Sequence, residues 1–325
     1  MSTDPVLQLL VALVILLVVV DVIVALPYVL VRLRERFSLR EFAQQYDAGG
    51  DFLVVDGFDV HYTDEGPRDG IPVVLVHGFG AWTFAWRLQR IVLAQAGYRV
   101  IAFDELGYGA SERPDGPVYS TDQQARVLTG VMDALNVRAA HLVGHSYGGR
   151  LAMLVAITAP ERVLTLTGID PEAFALGRPP VAVLLRLPIV GFSLAFYFTA
   201  PFLIRQFMKT VAKTLDWFTP AIERGYQAPL FVRGTAMAQV WQARSLKDGP
   251  VAIPQNLNRI IQPTLLIWGS DDGVFPASDG EKLLQVLPNA RLHIIKDAGH
   301  VPNEEKPDEL NQVLLDFLQS SISSL

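Results

Sequence analysis

Five short stretches of this chain are almost wholly apolar: "PVVLVHG" ending at Gly78, "YRVIAFD" at 98–104, "AAHLVGHS" at 139–146, "VLTLTGID" at 163–170 and "PTLLIWG" at 263–269. A strand that is apolar on both sides has to be covered on both sides, which is the condition of a parallel sheet between two layers of helices. Helical patterns fall between these stretches, around Trp86 to Gln95, at "TDQQARVLTGVMDALN" behind a Thr/Asp cap, and at "GGRLAMLVAITAP" up to Pro160. That alternation predicts an α/β architecture. Ahead of it, "DFLVVDG" and "FDVHYTDEG" form two strand patterns joined at Asp56-Gly57, a hairpin turn signal. The alternation stops after Asp170 and resumes at "PTLLIWGSDD", followed by a helix near Asp279 to Val286, the strand "ARLHIIKDAGH" and a last helix from Asp308 to Gln319. Residues 172–257, rich in helical and aromatic material, therefore form an insertion between two strands of one sheet.

Half of the residues are hydrophobic and only 18% are charged, a balance that points to a membrane segment. It lies at the front: Pro5 to Leu30 carries one charge, Asp21, and about 20 apolar residues suffice to span a bilayer. Arg32, Arg34, Arg36 and Arg40 follow rather than precede it, which argues for an uncleaved single-pass anchor with the rest of the chain on the cytoplasmic side. The expected organisation is an anchor at 5–30, a juxtamembrane segment at 31–51, a core at 52–171 and 258–325, and a helical lid at 172–257. Leu187 to Ile204 is uncharged but interrupted by Pro188, Gly191 and Pro201, so a lid lying on the sheet or dipping into the membrane surface is expected there rather than a second span. The net charge of −6 provides no basic surface for nucleic acid, and the absence of cysteine excludes disulfides, thiolate metal sites and a cysteine nucleophile.

The chemistry centres on Gly144-His145-Ser146-Tyr147-Gly148, a G-x-S-x-G between a strand and a helix. Small residues on both sides allow a sharp turn, and the helix start offers N–H groups to a developing oxyanion. Among the six histidines, His61, His141 and His293 sit inside strand patterns, His145 is within the turn, and His77 suits a loop-positioning role. His300, just past the last strand, remains as the base that would take the serine proton, since reactive groups gather beyond the carboxyl ends of parallel strands. Asp271, Asp272 and Asp170 are all candidates for the carboxylate that orients it. The glycines of His77-Gly78-Phe79-Gly80 let the N–H of Phe79 point to the same oxygen as the N–H of Tyr147. A dinucleotide fingerprint is the competing reading of Gly78-x-Gly80, but Thr83 stands where its third glycine belongs.

Taken together, "HGFG", "FDELGYGASERP", "GHSYGG", "WGSDDGVFP" and "DAGH" resemble, in order and spacing, the α/β-hydrolase fold superfamily over about residues 52–320. The resemblance implies a mostly parallel eight-stranded sheet with helices on both faces, a helical lid after the sixth strand, Ser146 as nucleophile, His300 as base, and Phe79 and Tyr147 as oxyanion donors. Counting back four residues from Pro276 assigns the acid to Asp272 rather than Asp271, and gives Asp104 a structural role in the "GYGAS" loop. Dehalogenases and epoxide hydrolases of this fold place aspartate where Ser146 stands, so the resemblance is to the serine branches, and the anchor is similar to that of some monoacylglycerol lipases. The expected activity is cleavage of carboxylic esters of apolar acyl or aryl substrates, lipids included, through an acyl-enzyme, with no metal or cofactor. Phe192, Phe196 and Phe198 of the lid are the expected substrate contacts. Two alternatives are a carbon–carbon hydrolase of ring-fission products, for which Arg186, Arg205 or Arg233 would hold the acid group, and a non-catalytic member of the fold.

Overall fold

In the computed structural model, which describes residues 5–46, 50–174, 184, 187–245 and 253–322, eight strands form one sheet in the order β1-β2-β4-β3-β5-β6-β7-β8. They are β1 (Asp51–Val55), β2 (Phe58–Glu65), β3 (Pro72–Val76), β4 (Arg99–Phe103), β5 (Ala140–His145), β6 (Val163–Ile169), β7 (Thr264–Gly269) and β8 (Ala290–Ile295). The β1–β2 and β2–β4 pairs are antiparallel and the others parallel. Asp56 (φ 52°) and Gly57 (φ 85°) both adopt left-handed backbone at the first hairpin, the turn that matches the twist of paired strands.

The helices are α1 (Pro5–Arg34), α2 (Leu39–Tyr46), α3 (Arg87–Gln95), α4 (Thr121–Ala134), α5 (Tyr147–Thr158), α6 (Pro188–Phe198), α7 (Ile204–Val211), α8 (Pro220–Gln227), α9 (Thr235–Ser245), α10 (Ile253–Asn256), α11 (Ser278–Val286), α12 (Pro302–Glu305) and α13 (Pro307–Ile322). Strand periodicity explains why the central strands are apolar throughout. Val74, Val76, Ile101, Phe103, Leu266 and Trp268 join the core under α4, α5 and α11. Their neighbours Val73, Leu75, Val100, Ala102, Leu265 and Ile267 join the core under α3 and α13. Local signals set the helix starts. Ser120 caps α4 through a bond from the Gln123 N–H to its hydroxyl (3.2 Å), and Ser38 and Glu41 form a reciprocal capping box at α2.

Helix α1 is long and apolar enough to cross a membrane, and all of residues 8–23 are exposed. It continues unbroken to Arg34, four residues beyond the boundary expected at Leu30. Between β6 and β7 the insertion carries α6 to α10, and the uncharged run from Leu187 is bent by 58° where Pro201 opens a short 3-10 turn between α6 and α7.

Candidate active site

Ser146 lies between β5 and α5 at φ 51°, ψ −117°, a conformation that only its surroundings can enforce on a non-glycine residue. A Cβ on Gly144 would stand 2.3 Å from the Gly148 carbonyl oxygen, and one on Gly148 would stand 2.2 Å from that of Val76, so both positions require glycine. The strained residue is fastened on both sides. Its N–H donates to Ile169 O (2.9 Å), and its carbonyl accepts from the N–H of Glu172 (3.0 Å) and Arg150 (3.2 Å).

His300 Nε2 is 2.9 Å from Ser146 Oγ, and His300 Nδ1 is 2.8 Å from Asp272 Oδ2. Asp272 Oδ1 accepts from the N–H groups of Val274 (2.7 Å) and Phe275 (3.1 Å), so the carboxylate has one orientation. Burial pushes the Asp272 carboxyl up, but the bond and charge of His300, with the two N–H donors, outweigh it and hold the group below its ordinary value. An ionised Asp272 accepts the hydrogen bond of Nδ1–H and so leaves the Nε2 lone pair facing the serine hydroxyl. Asp271 is bonded to Lys213 and Ser270 instead. The structure therefore brings Ser146, His300 and Asp272 together and leaves Asp271 outside.

Among the described residues, no acceptor engages the N–H of Phe79 or of Tyr147. The β3 loop runs close against the turn, since a Cβ on Gly78 would lie 3.1 Å from Ser146 Cβ and 2.8 Å from His145 Nδ1. Gly80, at φ 75°, then redirects the chain.

Residues 71–307 match the α/β hydrolase fold family. The chain belongs to that family. It is 34% identical over 270 residues to the 2-hydroxy-6-oxononadienedioate/2-hydroxy-6-oxononatrienedioate hydrolase of Paraburkholderia phymatum, a match covering 80% of this chain and 90% of the relative. A crystal structure of a membrane phospholipase A is 28% identical with a TM-score of 0.72, and the likeness covers 97% of this chain and 98% of that one. The meta-cleavage product hydrolase of Pseudomonas fluorescens IP01 is 27% identical with a TM-score of 0.71, covering 84% of this chain and 98% of its own.

In this α/β hydrolase, Asp170 stands behind the three residues rather than among them. It ends β6 at φ 43°, is fully buried, and accepts the Gly269 N–H on Oδ1 (2.9 Å). Burial and the adjacent Asp272 charge push its carboxyl well above the ordinary range. Its buried Oδ2 has no ordinary donor; a proton on that oxygen can be donated to Asp272, which accounts for both observations. One ring nitrogen or carboxylate oxygen from each of His145, Asp170 and His300 lies within 4.8 Å of the others.

Several contributors escaped the sequence reading. Burial lowers His145 to about 3, so the ring is neutral, and its Nε2–H donates to the His300 carbonyl (2.7 Å). Glu305 accepts from Gly299 N–H (2.7 Å) and Thr214 N–H (2.8 Å), while His300 N–H donates to Val211 O (2.7 Å), so the insertion grips the loop that carries His300. Glu304 receives both arms of Arg87 (2.6 Å each) and the Tyr226 hydroxyl (2.6 Å), joining α3, α8 and α12. Apart from Gly299 and Glu305, these partners are 78 to 217 residues apart and leave no local pattern.

The remaining histidines are engaged elsewhere: His141 with Thr165 and His293 with Glu309. His77 donates Nδ1–H to Gly78 O (2.9 Å) and accepts the Glu105 N–H on Nε2 (3.1 Å), which shapes the β3 loop. Asp104 organises the β4 loop by accepting from Thr83 N–H (2.7 Å), Ala110 N–H (2.8 Å) and His61 (2.9 Å). The rings of Phe192 and Phe196 are buried against α1 and α9 with Leu30, Val31 and Val240, which accounts for their apolar character without a substrate. The side chains of Phe198 and Arg186 lie outside the described residues. Arg205 pairs with Glu223 and Arg233 with Glu41.

Proposed function

We propose that this protein is a membrane-anchored serine hydrolase that cleaves carboxylic esters of apolar acyl substrates. The observation that carries the chemistry is the continuous line of hydrogen bonds from Ser146 through His300 to Asp272. Ser146 Oγ attacks the ester carbonyl carbon while His300 Nε2 takes its proton, and the resulting oxyanion is met by the N–H groups of Phe79 and Tyr147. Collapse of that intermediate expels the alcohol, which receives the proton from His300. Water, deprotonated by the same nitrogen, then attacks the acyl-enzyme and releases the acid and Ser146.

Extent of likeness supports the ester and membrane readings. The membrane phospholipase A likeness covers 97% of the chain, leaving only about ten of its 325 residues outside, so it reaches well into α1. The meta-cleavage product hydrolase likeness stops at 84%. With the anchor at α1 and Arg32, Arg34, Arg36 and Arg40 behind it, the catalytic domain faces the cytoplasm.

Carbon–carbon cleavage is the second reading, favoured by the activity for which the relative at 34% identity is named. Against it stands Arg205, which is paired with Glu223; Arg233 meets Glu41 only at the surface, and Arg186 lies outside the described residues. Fluorophosphonate labelling of wild type and Ser146→Ala, with p-nitrophenyl esters of increasing chain length, tests the proposal. Labelling and turnover are expected in the wild type alone, with rate rising along the series. No labelling of folded protein sinks the serine mechanism, and labelling without turnover of any ester moves the assignment to carbon–carbon cleavage.

A further inference from the structure

We infer that the insertion helix α6 sits in the bilayer surface beside α1, so that the lid is a membrane-contacting element and its exposed apolar side has lipid as its partner. The inference rests on the anchored-hydrolase reading and extends it to the place from which substrate arrives.

The first argument is length. From Pro5 to Ile23, α1 offers 19 residues, about 28 Å at 1.5 Å per residue, against a hydrocarbon core of about 30 Å. Residues 8–23 are exposed on every side, as a helix surrounded by lipid should be. Burial begins at Val24 and recurs at Pro27, Leu30, Val31 and Arg34, one stripe at helical spacing. The level at which α1 leaves the hydrocarbon is therefore the level at which α6 meets it.

The second argument is the chemistry of that meeting. Pro27 has no N–H, so the Ile23 carbonyl four residues earlier has no helical donor, a deficit that is costly in an apolar medium. The Tyr197 hydroxyl of α6 donates to that carbonyl (3.2 Å). Ser193 Oγ donates to the neighbouring Val24 carbonyl (2.7 Å), and the Tyr28 and Phe192 rings stack with centroids 4.3 Å apart. Arg34 closes the contact, donating to the Phe196 carbonyl (2.7 Å) with its guanidinium 4.0 Å over the Phe196 ring. Where α1 ends, the Glu35 carboxylate accepts the N–H groups of Gly234 (2.8 Å) and Ala236 (2.7 Å) at the start of α9. The carbonyl that Pro27 leaves without a donor is thus satisfied by the lid, and the two are built as one unit.

The third argument is what α6 and the following turn leave uncovered. Ile189 is 57% exposed and Phe202 75%, with Leu187 and Tyr197 also open, on a segment fastened to the apolar band of α1. Continuity with a lipid-facing helix identifies the bilayer as the occupant of this side.

The chain contains no cysteine, so single nitroxide labels can be placed at will on the full-length protein in phosphatidylcholine vesicles. Variants Ile189→Cys, Phe202→Cys, Leu16→Cys and Asp69→Cys would be compared for collision with oxygen, which concentrates in lipid, and with a water-soluble nickel chelate. Turnover of a short soluble ester checks that each is folded. Labels at 16, 189 and 202 should favour oxygen and the label at 69 the chelate. If 189 and 202 behave like 69 while 16 remains in lipid, the inference fails and the anchor stands. Should 16 also favour the chelate, the reading beneath it fails. Protection of 189 and 202 from both reagents would mean a second copy covers the face, and would overturn the inference. Tyr197→Phe gives an independent readout: turnover of a long-chain ester embedded in vesicles should fall several-fold with soluble-ester turnover unchanged, and an equal effect on both would count against the proposal.

Discussion

Replacing Asp170 by asparagine tests whether the buried carboxyl behind Ser146, His300 and Asp272 is neutral. Asparagine has the shape of a protonated aspartic acid: its Oδ1 can keep the Gly269 N–H bond and its amide can donate to Asp272. If Asp170 is neutral in the native protein, kcat/KM for a soluble ester should change by no more than a few-fold, and the acid limb of its pH profile should stay in place. An ionised Asp170 leads to a different result. A unit negative charge within 4.8 Å of His300 interacts with the imidazolium by about 3.5 kcal/mol at an effective dielectric constant near 20, which is about 2.5 pH units. Such a charge favours the inactive imidazolium, so its removal would carry the acid limb downward by that amount. The other groups facing this site, Asp272, His145 and Glu305, are the same in both proteins. Asp170→Ala is the contrasting variant, because it strands the Gly269 N–H and withdraws the donor to Asp272, a loss of about 1–3 kcal/mol. Profiles of kcat/KM from pH 5 to 9 with thermal midpoints decide the matter. An acid limb displaced by more than one unit in Asp170→Asn would refute the reasoning.

Three further outcomes are expected. Asp104 is held down to about 2, against 3.8 when free, because the His61 bond and charge outweigh its burial. A depressed carboxyl adds stability above its unfolded value that is lost as pH falls through the folded one, so the wild type should lose about 2 kcal/mol between pH 4 and pH 2 that Asp104→Asn does not lose, as measured by urea midpoints. Gly148→Ala would drive a methyl to 2.2 Å from the Val76 carbonyl, and should cost about 1–3 kcal/mol of stability and most of the ester turnover. Glu304→Gln leaves the Arg87 guanidinium without its carboxylate and should lower the unfolding free energy by about 3 kcal/mol.

The sheet was legible because its central strands feed two cores at once, so that Val73 to Val76 are apolar without interruption and cannot be mistaken for an amphipathic pattern. Ser146 was legible because its strained turn forces glycine at 144 and 148, a local and rare signature. The choice between Asp271 and Asp272 was not open to the residues alone. The two are adjacent in one loop, and only the fold decides that one meets His300 and the other Lys213; a resemblance in spacing to Pro276 supplied that answer. His145, Glu304 and Glu305 were invisible for a related reason, since each has a partner far along the chain that only the fold brings near. The stretch expected as an anchor and the first residues after it form one continuous helix to Arg34, which finds a carbonyl and an aromatic ring on the insertion and stays helical.

Ser146 and His300 are 154 residues apart, and the histidine stands beyond β8, which lies at the edge of the sheet and pairs only with β7. The line from Ser146 through His300 to Asp272 therefore exists only while that edge pair is closed. Local opening of β8 would leave Ser146 in its strained turn and carry the histidine away from it, so the arrangement lasts no longer than the outermost strand pair of the sheet.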